Sequence, residues 1–558
     1  MITSCSTLRA RQLCHAAGSL SSFGPRSFLR PILVRNGFSI RLSHSATPEA
    51  TAAFLASHPS LPTSTLAKRG LKLSKLGFGA YRVNGSQPSH AAALVKAIQS
   101  GVNVIDTSSH FGHGASETFI GNTLEEMFKQ DKVKREQLVV VSKAGFILPT
   151  TARFPDETLS NVDSFAKISE MSYHSIHPTY LESQITGSLE RLKLDKLDIF
   201  MLNNPERMLG DRNLPGGFGK TRLYKEIAEA FKYLDQEVEK GRIGGYGICS
   251  NALHIPTTED HLSLKAIMRT RQDFQWKAEN FLAIEAPLNL FERDLVTDVF
   301  PTKCLAREAN DLNIFVFTNR PLNAIAAGQI ITLENKDQHN RQEMSTQLLE
   351  TLDLSFKSLA EMELDIKDMI EEESLAMKFV WSEVLSENLP RLSSNYFAAK
   401  HFLEREVLPA IDRDLKTLED SNKESSTDEE DGAAILSWID RYRNEAKALT
   451  QDIAKFCQLD SDKRNDELNL VLGLICQEFV TDVGPNKVEG GSGQIGSPLS
   501  TKSIQFCTAQ KHVGCTLVGM RQPEYVQDAI YAVEASPRLT EEHLGLISQC
   551  PLILATES

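Results

Sequence analysis

The chain reads as an α/β protein, a closed barrel of eight βα units whose seventh unit is opened by a long helical insertion. Three observations predict this. From Gly70 onward, short apolar runs alternate with longer segments of helical period; the alternation repeats eight times; and a long interruption containing helical stretches, from roughly Leu333 to Ser500, separates the seventh run from its helix. Strictly alternating strands and helices demand a parallel sheet, because each return to the same edge needs a crossover helix. Eight such units fit a (β/α)8 barrel, whose functional residues gather at the C-terminal ends of the strands. An open, doubly wound sheet is the alternative, and the absence of a glycine-rich phosphate loop after the first strand weakens it.

The elements follow in order. LGFGAYRV (76–83) reads as a strand and SHAAALVKAIQSG as a helix that stops at a glycine. VNVIDTS, LVVVSKAG and LDIFMLNNP are further strands, with SETFIGNTLEEMFK and HPTYLESQITGSLERLKL as the helices between them. The segment from Tyr224 to Lys240 is a long helix, and GGYGICS, LAIEAPLN and IFVFTNRPL are three more strands. After the interruption, GCTLVGM supplies the eighth strand and PEYVQDAIYAVEA its helix.

The interruption contains LLETLDLSFKSLAEMELDIKDMIEEESLAMKFVWSEVL and ILSWIDRYRNEAKALTQDIAKFC, whose apolar residues recur at three- and four-residue steps. These are amphipathic helices. A polar break, DSNKESSTDEEDG, divides them, and GPNKVEGGSGQIGSPLS closes the insertion as a flexible tether. The expected organisation is residues 62–332 for the first part of the barrel, 333–500 for the inserted helical subdomain and 501–558 for the barrel's end. The insertion carries no metal or phosphate motif, so its expected role is a cap or a surface for a protein partner.

Composition narrows the rest. A hydrophobic fraction of 41% and a charged fraction of 24% belong to an ordinary globular protein, and a net charge of −13 argues against a nucleic-acid binder. The nine cysteines show no CxxC pair or ligand spacing and read as reduced thiols, with no metal site expected. No apolar run is long enough to span a bilayer. Residues 1–46 stand apart: Arg9, Arg11, Arg26, Arg30, Arg35 and Arg41 occur among many serines, with no acid before Glu49. Such a segment predicts a mitochondrial presequence, with the matrix as the expected destination.

Three strand ends carry a resemblance. VIDTSSHFGHGASE (104–117), VVVSKAG (139–145) and LDIFMLNNPE (197–206) resemble the signature segments of aldo-keto reductases; GYGICSN and LVGMRQPEYVQDA resemble two further ones. The likeness covers residues 70–332 and 501–545, and the motifs are specific as an ordered set. It implies a hydride transfer between a nicotinamide nucleotide and a carbonyl, with a tyrosine as proton donor, a lysine–aspartate pair that lowers the tyrosine's pKa, and a histidine that orients the carbonyl. A phenol titrates near pH ~10 unless a neighbouring cation favours its anion, which explains the lysine.

Carried over by position, the aspartate is Asp106 and the lysine Lys143, whereas Phe111 falls at the tyrosine and Asn203 at the histidine. Phenylalanine has no ionisable proton. His110 and His113 flank Phe111, either as substitute acids or as plain loop residues. On the cofactor side the resemblance implies Ser250 and Asn251 for the carboxamide, with Glu285 where glutamine is common. Asn319 falls where an aromatic ring often stacks, Arg320 is a candidate for the pyrophosphate, and Gly519 and Arg521 lie in the last cofactor segment. NADP is the expected nucleotide and NAD the alternative.

Two functions follow. One is an NAD(P)H-dependent reductase of an aldehyde, ketone or sugar, weakened by the missing phenol. The other is an inactive cofactor-binding barrel that works as a mitochondrial interaction or scaffold protein through its insertion. For Asp106 and Lys143, chemistry and simple retention of a buried ion pair are both consistent with the sequence.

Overall fold

The computed structural model describes residues 45–147, 164–169, 172–211, 218–299, 301–326, 329–334, 341–370, 372–393, 396–425, 429–479 and 497–554. Eight parallel strands close a barrel in simple sequential order: β1 (Leu76–Gly79), β2 (Val104–Asp106), β3 (Val139–Ala144), β4 (Ile199–Asn203), β5 (Tyr246–Cys249), β6 (Phe281–Pro287), β7 (Phe315–Asn319) and β8 (Cys515–Val518). The crossover helices are α1 (Pro88–Gln99), α2 (Ala115–Lys129), α3 (Pro178–Leu192), α4 (Lys220–Glu239), α5 (Leu264–Phe274), α6 (Leu305–Asp311), α7 (Leu499–Ala509) and α8 (Pro523–Ala535). Each strand and helix read from the sequence is present, with the strands shorter than their apolar runs.

Side chains alternate across each strand, and the alternation sorts the core into two layers. Val104, Val139, Val141, Ile199, Met201, Ala283, Phe315, Phe317, Cys515 and Leu517 fill the barrel's interior. Their neighbours Ile105, Val140, Phe200, Leu202, Ile284 and Val316 face outward against the helices. Gly77 is confined to glycine by close approach, since a Cβ there would stand 2.6 Å from Leu517 Cδ2 and 3.0 Å from Cys515 Sγ.

Three features lie outside the sequence reading. An antiparallel hairpin, Thr63–Leu66 with Leu71–Ser74, closes the N-terminal end of the barrel, adding Leu66, Leu71 and Leu73 to the interior cluster. Its turn is anchored by Lys68 Nζ, which donates to the carbonyls of Ala278 and Phe281, and by Arg69 Nε, which donates to that of Gly244. Before the hairpin, Ala46 N already donates to Asp198 Oδ1 at 2.8 Å, so the barrel is engaged at the last residue of the expected presequence. The rest of that presequence, to residue 44, lies outside the described residues. Of the long segment after β3, three short strands (Phe146–Ile147, Ala166–Ser169 and Ser172–His174) form a small sheet beside the strand ends.

The insertion sits between β7 and α7, after a hairpin of Asn323–Ala326 and Gln329–Thr332. Its helices have their own core, in which Leu352, Leu359 and Ile366 meet Trp438, Tyr442, Leu449 and Ile453. The final helix, Glu429–Ile475, has 47 residues and so extends roughly 70 Å. Its first half belongs to the insertion's core, whereas Leu468, Leu472 and Cys476 belong to the barrel's outer core. Asn465 Nδ2 fastens the seam by donating to the carbonyls of Thr332 at 2.6 Å and Glu334 at 2.9 Å. The expected polar break is shorter than its composition suggests: one helix runs to Ser425 and the next begins at Glu429. Lys423 pairs with Glu419 one turn back. Most of the expected tether lies outside the described residues, but Leu499 and Ser500 already form the first turn of α7.

Candidate functional site

Continuing the inward-facing series to the C-terminal end of each strand builds a polar layer on the apolar interior. Asp106 follows Val104 on β2, Lys143 follows Val141 on β3, and Asn203 follows Met201 on β4. Cys249 ends β5, Glu285 follows Ala283 on β6, and Asn319 follows Phe317 on β7. Strand register places Cys249 beside both Asn203 and Glu285. Six successive strands therefore change from apolar to chemically active residues at the same level of the barrel.

Lys143 is the centre of this layer. Its Nζ donates to Asp106 Oδ1 and, at 2.8 Å, to Glu285 Oε2. Glu285 Oε1 accepts from Asn319 Nδ2 at 2.7 Å. Asp106, Lys143 and Glu285 are at most 4% exposed. Burial alone would lower the lysine's pKa, but the charges of Asp106 and Glu285 reverse that and raise it above its ordinary value. Burial raises Asp106 to about 7, with Lys143 opposing the shift and Glu285 adding to it. Burial and the neighbouring Glu285 also keep the Cys249 thiol far above its usual range.

Phe111 lies on the loop after β2, its ring centroid 5.9 Å from Lys143 Nζ. Tyr81, an exposed residue after β1, meets that ring edge-on at 5.2 Å. His110 packs on Phe111 from the other side, at 4.8 Å. Ser108 Oγ donates to the Lys143 carbonyl at 2.7 Å and lies 2.8 Å from His110 Nδ1. The Asn203 amide also lies against Nδ1, at 3.2 Å. Burial, with the Lys143 charge adding to it, lowers His110 to about 4. That direction makes an imidazolium at position 110 unfavourable at pH 7; His113 is exposed, with a left-handed φ of 54°.

The neighbouring sheet closes the wall beside Asn203. His174 Nε2 lies 2.7 Å from the Asn203 carbonyl, and burial lowers this ring too, to about 4. Gly145 permits the contact, for a Cβ there would stand 2.4 Å from His174 Nε2. Sequence reasoning missed His174, since only the fold brings it to β4.

The cofactor-side residues divide into three groups. Ser250 is buried and Asn251 half-buried on the turn after β5; the Asn251 N–H donates to Glu206 Oε1 at 3.0 Å, and Asn204 Nδ2 donates to the same oxygen at 2.9 Å. Arg320, after β7, is paired with Glu292 rather than left free for an anion. Glu292 Oε2 also accepts from Asn289 Nδ2 at 2.8 Å and Ile325 N at 2.9 Å. Gly519 and Arg521 occupy the exposed turn after β8. Glu206 was visible only as the end of the LDIFMLNNPE segment, with no role assigned, and Glu292 had no sequence signal. Among the described residues, no group of three or more His, Cys, Asp or Glu is placed to hold a metal ion, and no helix is long and apolar enough to cross a membrane.

Comparison with known proteins gives this geometry a context. Residues 75–314 match the model of the Aldo/keto reductase family. The NADH-specific methylglyoxal reductase of Escherichia coli is 26% identical over 200 residues, covering 34% of this chain and 52% of that protein. The D-threo-aldose 1-dehydrogenase of a Pseudomonas species is 32% identical over 163 residues, covering 27% and 46%. The NADPH-dependent D-xylose reductase of Meyerozyma guilliermondii is 24% identical over 189 residues, covering 32% and 49%. The chain thus spans about half the length of these relatives. Among solved structures, the holo form of an aldo-keto reductase from Bacillus halodurans is 14% identical, with a TM-score of 0.43, covering 88% of this chain and 96% of that one.

Proposed function

Because the barrel belongs to the aldo/keto reductase superfamily, we propose that this protein is an oxidoreductase that interconverts a small carbonyl compound and its alcohol with a nicotinamide nucleotide. The observation that carries the reading is the buried Asp106–Lys143 pair in the polar layer at the strand ends, beside Asn203. A charged layer at that end of the barrel is where this architecture performs chemistry. As a packing element the pair would add little net stability, because the cost of burying both charges offsets much of their attraction.

The residues present fit a nicotinamide nucleotide in part. Two buried polar atoms without a protein partner, Asn319 Oδ1 and Arg320 Nε, lie together at the end of β7, one able to accept from an amide and the other to donate to a phosphate oxygen. Ser250, Asn251 and Asn319 would hold the carboxamide side, Arg320 the pyrophosphate, and Gly519 and Arg521 the adenosine end. The bound nucleotide would supply the hydride. Asn203 would hold the carbonyl oxygen by an amide hydrogen bond, and Phe111 would wall the site without giving a proton. Turnover is accordingly lower than with a phenol in place. NADP is the first choice and NAD the second; the relatives' names include both NADH and NADPH. The substrate class is an aldehyde, ketone or sugar.

The test is binding of NADPH and NADH to the purified full chain, followed by carbonyl-dependent oxidation of whichever binds. Saturable binding and oxidation that disappears in Lys143→Ala support the reading; undiminished turnover in that variant would sink it.

A second reading, a scaffold in which the insertion meets a protein partner, is favoured by the exposed Leu354 and Leu364 on its first helix and Met377 on a following turn. Replacing all three with serine would then abolish partner recovery while nucleotide binding continued. We also propose mitochondrial residence, from the arginine-rich, acid-free residues 1–46. A fluorescent fusion to that segment that stays outside mitochondria would refute it.

A further inference from the structure

We propose that Asp106 and Glu285 share one proton around Lys143, and that this proton takes the place of the phenol hydrogen that Phe111 lacks. The proposal rests on the carbonyl-reductase reading for its use of the proton, but not for the proton's presence.

Charge counting leads to it. Asp106 and Glu285 both hold the Lys143 ammonium, so two carboxylates face one cation in a layer sealed from water. With both ionised the cluster carries a net negative charge, which burial strongly disfavours; one added proton makes it neutral. A glutamine at 285, as the family resemblance leads one to expect, would leave an already neutral Asp106–Lys143 pair with nothing to hold a proton. The carboxylate at 285 and the missing phenol therefore change the proton count in opposite directions. The elevated Asp106 described above agrees with this.

The surrounding groups leave the extra proton nowhere else to go. The Cys249 and Cys515 thiols face the cluster, and burial keeps both protonated. His110 is neutral, and Asn319 meets Glu285 with an amide. Two of the ammonium's hydrogens go to Asp106 and Glu285, and the third remains for the side on which the Phe111 ring lies. On reduction, the carbonyl carbon gains the hydride and the oxygen takes a proton from Lys143 Nζ while the carboxyl O–H proton moves onto that nitrogen. Lys143 ends as an ammonium and both carboxylates end ionised. Solvent returns the proton once the alcohol has left.

The deciding experiment is an infrared pH titration of the carboxyl groups in the purified full chain without nucleotide. We expect one protonated carboxyl that ionises as pH rises through about 7, and whose band is absent from Glu285→Gln and retained in Glu285→Asp. Circular dichroism checks that each variant is folded. A wild-type spectrum with no such band overturns the proposal, whatever the activity. The kinetic arm uses the nucleotide that binds, with methylglyoxal and D-xylose as probes. The wild-type rate should fall above about pH 7, and Glu285→Gln should lose that dependence together with about 10²-fold in kcat. Tyr81→Phe should change neither, although its phenol is near Phe111. A Glu285→Gln enzyme with the wild-type rate and profile, or a matching loss in Tyr81→Phe alone, overturns the assignment. A titrating carboxyl in a protein that oxidises no nucleotide supports the shared proton and refutes the reductase reading instead.

Discussion

Glu285 in the barrel and Glu363 in the insertion are both buried carboxylates, each holding a cluster together, yet they are satisfied in different ways. Glu363 accepts from the Ser382 N–H at 3.0 Å, from the Tyr442 hydroxyl at 2.7 Å and from the Ser382 hydroxyl. Around it Trp438 and Tyr442 stack at 4.7 Å, with Phe379 packed edge-on against both. These partners are neutral donors, and the enclosure is aromatic. Glu285 instead shares one cation with a second carboxylate and stands beside Cys249 and Asn319 at the end of the barrel strands. Neutral donors satisfy a carboxylate without a counter-charge, whereas around Lys143 two carboxylates compete for one cation. The first arrangement organises a core. The second can do chemistry.

That contrast can be broken most forcefully at Lys143. Lys143→Ala leaves Asp106 and Glu285 facing each other without a cation, and uncompensated buried charge costs about 3–5 kcal/mol. Chemical denaturation at pH 7 should show a loss of that size together with loss of turnover. The deficit should shrink toward pH 5, where the facing carboxyls take up protons. A variant as stable as wild type would mean that the pair is not buried as described.

The matching change in the insertion is Tyr442→Phe, which removes one donor from Glu363 without touching the barrel. A buried acceptor that loses a partner costs about 1–3 kcal/mol. The expected result is lower stability with nucleotide binding and kcat unchanged. A change in kcat would show that the insertion's core reaches the site and that the two clusters are not independent.

A third test reads the barrel cluster by pH alone. Asp106 is raised from 3.8 to about 7 in the folded chain, so between those values the folded state binds more protons than the unfolded one. Its contribution to stability is therefore greatest at low pH and is lost as pH rises through about 7. Glu285→Gln should flatten that slope, while Tyr442→Phe should leave it in place. Equal slopes in wild type and Glu285→Gln would remove the barrel cluster from the comparison.

Much of this was legible in the sequence because it depends on period and order. Eight alternating units give the barrel, and two-residue alternation carries Val104 to Asp106 and Val141 to Lys143 at the ends of their strands. What could not be read depends on closure. Glu285 looked like a carboxamide ligand until the barrel brought β6 within reach of Lys143 on β3, on the opposite side of the layer. Arg320 looked like a free cation, but Glu292 is 28 residues away in the chain and reaches it only when β6 and β7 pair. The long final helix was visible as an amphipathic stretch, but not that its apolar face passes from one core to another, since both halves repeat at the same spacing.

The smallest effect belongs to the seam between the two regions. Lys502, on α7, is buried where the long helix meets the barrel, donating from Nζ to the Asn469 carbonyl at 2.7 Å, with the Phe479 ring 5.9 Å away. Like Glu363 it is an ionisable group that meets a neutral partner, so it tests what burial costs where that partner brings no counter-charge. Burial lowers its pKa from 10.5 to about 8. Between those values the unfolded chain binds more protons than the folded one, so stability rises with pH across the window. Lys502→Met keeps the packing volume and removes the charge. It should raise the unfolding free energy at pH 7.5 by on the order of 1 kcal/mol, net of the lost hydrogen bond, and abolish the rise between pH 8 and 10. Thermal melts at both ends of the window would read this directly. A destabilised Lys502→Met would show that the hydrogen bond to Asn469 outweighs burial of the charge, and that the seam is held as the insertion's core is, by satisfied polar contacts.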